Sequence, residues 1–77
     1  MRDELPVRII KLRSQLDLSV PKFAALIHID SRHVYSWESG EFKPSCDVLE
    51  RIHDRTGVSL DWLVCGCGTM FPTVAHT

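Results

Sequence analysis

Residues 31–36 concentrate recognition chemistry: Ser31, Arg32, His33, Tyr35 and Ser36 supply a guanidinium, an imidazole, a phenol and two hydroxyls. A guanidinium can donate in parallel to O6 and N7 of a guanine, or to a phosphate. A tyrosine ring packs on a thymine methyl or donates its hydroxyl to a phosphate, and a serine hydroxyl bonds almost any base edge. Lys43 lies beyond, in the loop Glu41-Phe42-Lys43-Pro44, where it and the loop amides can hold a phosphate. Lys22 and Arg8 complete the candidate contacts, with Arg2 as a second cation near the chain start able to reach a phosphate. The plain alternative for Arg32 is a solvated surface charge, and for Tyr35 half-buried packing.

Such groups read a duplex only from a braced helix. The stretch 19–44 predicts two short helices joined by a tight turn and followed by a loop. Ser19 caps the first, with Pro21 in its first turn, where a missing N–H costs nothing. Asp30 caps the second. Phe23, Ala24, Ile27, Val34 and Trp37 fall on one inward side, leaving Arg32, His33, Tyr35 and Ser36 outward. A short helix showing its polar face from a rigid partner is the geometry of a helix-turn-helix reader in a major groove. His28 stands in the turn, where the chain asks for positive φ, and Ile29 sits beneath it as a core residue.

The remaining helices form the support. Asp3 starts the first, with Glu4 in its first turn and Leu5, Ile9, Leu12 and Leu16 as its buried stripe; Arg2, Arg8 and Lys11 are left on other faces. Gly40 ends the third helix. Ser45 caps a fourth, buried through Val48, Leu49 and Ile52 and stopped by Gly57, with Glu50, Arg51 and Asp54 solvated. Ser59 caps a fifth over 60–65. Part of Leu60, Trp62, Leu63 and Val64 completes the core; the rest, with Met70 and Phe71, offers a dimer patch. The domain spans 1–68 and is all-helical, and 69–77 reads as a tail.

Bulk properties narrow the class. The chain has 77 residues and 44% apolar content, enough for one small core. No apolar run approaches the ~18 residues of a membrane span. The opening MRDELPVRII has no signal-peptide core, so a cytoplasmic location is expected. Three cysteines, Cys46, Cys65 and Cys67, do not make a disulfide framework, and Cys65-Gly66-Cys67 is too sparse for closed zinc ligation. His28, His33, His53 and His76 add no familiar zinc spacing. No nucleophile, base and orienting group recur at a useful spacing, so no enzyme, metal, cofactor or small-molecule substrate is implied. Net charge is −1, where a DNA-binding domain is expected to be basic. Residues 1–45 hold seven Lys or Arg against six Asp or Glu, and 46–77 two against four, so any positive field is local.

Leu12-Arg13, Leu18-Ser19, Phe23-Ala24, Val34, Trp37-Glu38-Ser39-Gly40, Pro44-Ser45 and Gly57-Val58-Ser59-Leu60-Asp61-Trp62-Leu63 occur in an order and spacing that resemble the lambdoid phage repressor and Cro (XRE-like) helix-turn-helix family over residues 8–68. The resemblance implies a compact five-helix, lambda-repressor-like DNA-binding domain with its motif at helices 2 and 3. It implies a sequence-specific regulator, a phage, prophage or plasmid repressor, binding a near-palindromic operator in double-stranded DNA as a homodimer. By position, base reading falls to Ser31, Arg32 and Ser36, with Tyr35 beside them, and Arg13 and Glu38 occupy the places of a structural ion pair. Val20 replaces a common phosphate-binding glutamine, and His28 a common glycine. The alternative within this fold is a protein-interaction module, an antitoxin or adaptor with secondary DNA contact.

Overall fold

The computed structural model describes residues 4–72, so Arg2, the Asp3 start of the first helix, His76 and the end of the tail lie outside the described residues. Among these residues the elements are α1 (Leu5–Gln15), α2 (Val20–Leu26), α3 (Ser31–Ser39), α4 (Cys46–Thr56) and a fifth helix, α5 (Asp61–Cys65), wound as a single π-helical turn. No strand occurs among them. α3 packs on both α2 and α1, and α1 reaches α5.

Side-chain oxygens open the helices as their sequence positions anticipate. Ser19 Oγ accepts from Lys22 N at 3.3 Å, Asp30 Oδ1 from Arg32 N at 2.9 Å, Ser45 Oγ from Val48 N at 3.3 Å and Ser59 Oγ from Trp62 N at 3.3 Å. Each satisfies an amide that the first turn of a helix leaves without an intrahelical partner. α1 opens differently: Glu4 is its N-cap and makes no side-chain cap bond.

The first three helices close by one device. After α1, Leu18 N donates to Arg13 O and Asp17 N to Ser14 O. After α2, Ile29 N donates to Ala24 O and His28 N to Ala25 O. After α3, Glu41 N donates to Ser36 O and Gly40 N to Trp37 O. This paired closure puts one residue in the left-handed region. Of these three, glycine fills that place only after α3, where Gly40 has φ 84°; Asp17 and His28 both sit at φ 58°. His28 thus takes the positive φ that its turn position asks for. Asp17 carries no such signal in the sequence beyond being one of the polar residues that tolerate the region.

Ile9, Leu12, Val20, Phe23, Ala24, Ile27, Val34, Trp37, Ile52, Val58 and Leu63 form the buried core, with Leu5, Leu16, Leu18, Ile29, Val48, Leu49, Leu60, Trp62 and Met70 packed against it. Val20 therefore serves the core from the start of α2. Packing does not stop at Gly68: Ser59 N donates to Met70 O at 2.8 Å, tying the chain after α5 back to the segment that precedes that helix. Of the apolar residues grouped as a dimer patch, Val64 and Phe71 stay exposed.

Two arginines, one buried and one exposed, make long-range bonds that the solvated positions expected of them do not announce. Arg8 is 5% exposed, and it donates from Nε to Leu63 O at 2.7 Å and from Nη2 to Val64 O at 2.9 Å. The expected outer-face phosphate contact is therefore corrected: Arg8 lies inside because position 8 shares the stripe of Leu5 and Leu12. Its charge meets carbonyls near the end of α5, where helix geometry leaves acceptors unpaired. Arg51 is not simply solvated either. Its Nη1 donates to Ile27 O at 3.2 Å and His28 O at 3.4 Å, pinning the turn between α2 and α3 to α4.

A third arginine makes the ion pair that the family resemblance implies. Arg13 Nε donates to Glu38 Oε2 at 2.7 Å, Nη2 to Oε1 at 3.1 Å and Nη1 to Leu18 O at 3.1 Å. The hydrogen bond to Glu38 is the largest cause raising the Arg13 pKa above its ordinary value.

The Arg13 and Glu38 side chains are 21% and 12% exposed, so the pair is mostly shielded from water. Glu38→Ala leaves a shielded guanidinium unpaired and should cost ~2–4 kcal/mol, below the full figure for a wholly buried pair. That is a large share of the ~4–12 kcal/mol expected for a domain of this length. Thermal unfolding should show a midpoint lowered by ~10–25 °C, and an unchanged midpoint contradicts the pairing. His28→Gly relieves a left-handed non-glycine residue and should raise stability by up to ~1 kcal/mol. A lower denaturation midpoint in that variant would show that the strain at His28 is smaller than the unfolded-chain freedom that glycine adds.

Candidate nucleic-acid interface

α3 presents two unlike sides because Val34 and Trp37 are buried while Arg32, His33 and Tyr35 are exposed. Tyr35 is 56% exposed, too open for the packing alternative to describe it. Ser31 and Ser36 are half-buried at the margins of the helix face. The Ser36 hydroxyl donates to His33 O at 2.8 Å, so its proton is engaged within α3 and its oxygen is left as an acceptor toward a ligand.

Arg32, His33 and Ser36 come together with Lys43 around one open hollow of about 770 Å³. Its apolar lining includes Ile29, Trp37, Pro44 and Val48, and Phe42 and Glu41 stand on the loop side. Ser31, Tyr35 and Lys22 are not part of this lining; Lys22 is exposed in the first turn of α2. Arg8 is excluded from the face altogether by its bonds to α5.

The loop after α3 differs from the phosphate cradle anticipated for it. The amide of Glu41 donates to Ser36 O at 3.0 Å and that of Phe42 to Ser36 O at 3.3 Å. These two N–H groups are engaged in closing the end of α3. Lys43 remains the exposed cation of the loop, with the Glu41 carboxylate working against it.

At the start of α3 the Asp30 carboxylate has a second role that its cap position does not announce. Oδ1 accepts from Arg32 Nε at 3.2 Å as well as from Arg32 N, and Oδ2 accepts from Arg32 Nη2 at 3.1 Å. The Arg32 side chain is nonetheless 88% exposed. The side-chain bond to Arg32, then the backbone bond, hold the Asp30 carboxyl below its ordinary range, and the same pairing raises the Arg32 pKa. The i, i+2 spacing of an acid at a cap and an arginine is the signal that the sequence offers for it. Among the described residues no three His, Cys, Asp or Glu side chains gather as a metal site, and no helix is long and apolar enough to cross a membrane.

A sequence model described as Helix-turn-helix matches residues 9–63. The crystal structure of a transcriptional regulator from Listeria innocua is similar in fold, with a TM-score of 0.73 and 23% sequence identity, covering 95% of this chain and 68% of that one. No curated protein matches the sequence.

The Asp30 geometry sets a pH response. A carboxyl whose folded pKa is depressed contributes stability above its unfolded value, ~3.9, and loses it as pH falls through the folded value. An NMR titration should place the Asp30 midpoint below that ordinary value. Arg32→Ala should raise it only partway, because the backbone bond at position 32 persists; an unmoved midpoint means the side-chain pair does not form in solution.

Proposed function

The chain belongs to the XRE-type helix-turn-helix family of DNA-binding regulators, and from that premise we propose that it is a Cro-type repressor which reads a near-palindromic operator as a homodimer. The domain is a binding module and not an enzyme. In the proposed complex α3 lies in the major groove of double-stranded DNA. Arg32, with Ser31, Ser36 and Tyr35, meets base edges, while Lys22, Lys43 and His33 meet the backbone. Two copies set their reading helices ~34 Å apart, one helical turn of B-DNA. Repression is steric: the occupied operator is closed to RNA polymerase.

The observation that supports this reading best is the outward side of α3. Arg32, His33 and Tyr35 are exposed on a helix locked from behind by Trp37, Val34 and the Glu38 pair. Phosphate contacts supply most of the affinity in such complexes, and base contacts supply the choice. Lys22, Arg32 and Lys43 are few cations for that work. Each domain should therefore bind random DNA weakly, with a salt slope of about −2 to −3.

Selection from a random DNA pool tests the whole reading, because it reports sequence, palindromy and half-site spacing together. Arg32→Ala should lose ~1–3 kcal/mol of operator affinity and relax one base position. Lys43→Ala should weaken all sequences alike and make the salt slope shallower by ~1. Failure to enrich any sequence, with no salt-dependent shift of random DNA, would instead favour a protein-interaction module on the same fold.

A further inference from the structure

The Asp30–Arg32 pair is more than the fold requires. A cap needs one bond to the first turn, and Asp30 has it in Arg32 N at 2.9 Å. The two further bonds, 3.2 Å from Nε and 3.1 Å from Nη2, bring the guanidinium side-on against the same carboxylate. A pair this open to water contributes little to stability. Its consequence lies in what it does to the guanidinium.

Arginine carries five N–H donors in one plane. Side-on pairing to Asp30 engages the Nε–H and one Nη2–H. The end-on edge remains, with the second Nη2–H beside the Nη1 protons, and such an edge can make two parallel bonds to guanine O6 and N7. Asp30 is itself fixed by its cap bond, so the plane is oriented before DNA arrives, and less side-chain freedom is lost on binding. The carboxylate also discriminates by charge. A phosphate approaching the same guanidinium meets an anion a few ångströms away, whereas guanine offers neutral acceptors.

We propose that Asp30 is a specificity-determining positioning residue, which presents Arg32 end-on to a guanine in the major groove and keeps it off the phosphate backbone. This rests on the DNA-reading function proposed above and adds to it a named base and a residue that acts through Arg32. The depressed Asp30 pKa is consistent with a carboxylate that stays charged while it does so.

Random-pool selection with the wild type, Arg32→Ala and Asp30→Asn tests it. Asparagine is among the best N-cap residues, so Asp30→Asn should keep the start of α3, and its thermal midpoint verifies this. The wild type should enrich guanine at one position of each half-site, and Arg32→Ala should lose that position. Asp30→Asn should lower the guanine preference there by about fivefold or more and leave other positions intact. Its affinity for random DNA should rise, with a salt slope steeper by about one, as the released arginine reaches phosphates.

Asp30→Asn binding its operator more tightly with undiminished guanine preference would make Asp30 a mere restraint and overturn the proposal. Unchanged preference and affinity would make the pair idle and overturn it equally. A position lost in Arg32→Ala that was never guanine overturns it too. If the wild type selects no sequence, the proposed function fails along with this inference; the other outcomes leave that function standing.

Discussion

A nine-residue helix is not stable alone, and α3 exists because its neighbours hold it. The attachment is concentrated at one flank. Trp37 and Val34 are buried against the body, and Glu38 grips Arg13 of α1 through two short bonds. The same guanidinium donates to Leu18 O, so one side chain joins the end of α1, the segment before α2 and the back of α3. An interaction placed there leaves the opposite side of the helix free of structural duty. That division lets a small domain keep several polar groups unburied and still rigid.

The turn between α2 and α3 shows how the angle of the motif is fixed. Its closure forces His28 to φ 58°, which resists relaxation because Ile29, the next residue, is drawn onto the core. Arg51 then takes the two carbonyls that this closure exposes, at Ile27 and His28. Backbone, apolar and charged contacts agree on one geometry, the condition under which a strained residue persists. Glycine at this place would remove the strain but also leave the turn with more unfolded freedom to lose.

Much of this is legible in the sequence. The caps at Ser19, Asp30 and Ser45, the stop at Gly40 and the inward stripe are readable because local backbone chemistry decides them. What stays hidden has a common form: long side chains whose partners are distant in sequence. Arg8 reaches carbonyls 55 and 56 residues away, and Arg51 reaches back 24. A periodicity argument sees the position of such a residue but treats its charge as a reason for exposure. Arg8 sits on the buried stripe of α1, and position carries the truer signal. Amides 41 and 42 escape a local reading for a related reason, since a loop that follows a glycine-closed helix commits its first donors to that closure.

These internal uses of charge bear on recognition. Arg8, Arg13 and Arg51 answer acceptors of the domain itself, which removes three cations from a chain of net charge −1. Lys22, Arg32 and Lys43 are left near the reading face, and one of these is already paired with Asp30. A domain so furnished is poorly suited to holding DNA by charge alone, because each missing phosphate contact removes a counterion-release contribution. Discrimination then has to come from the geometry of a few donors. A paired arginine suits that constraint: it gives up attraction to the backbone, which every sequence offers equally, and keeps the edge that one base matches. Low non-specific affinity and an oriented donor thus arise from the same carboxylate.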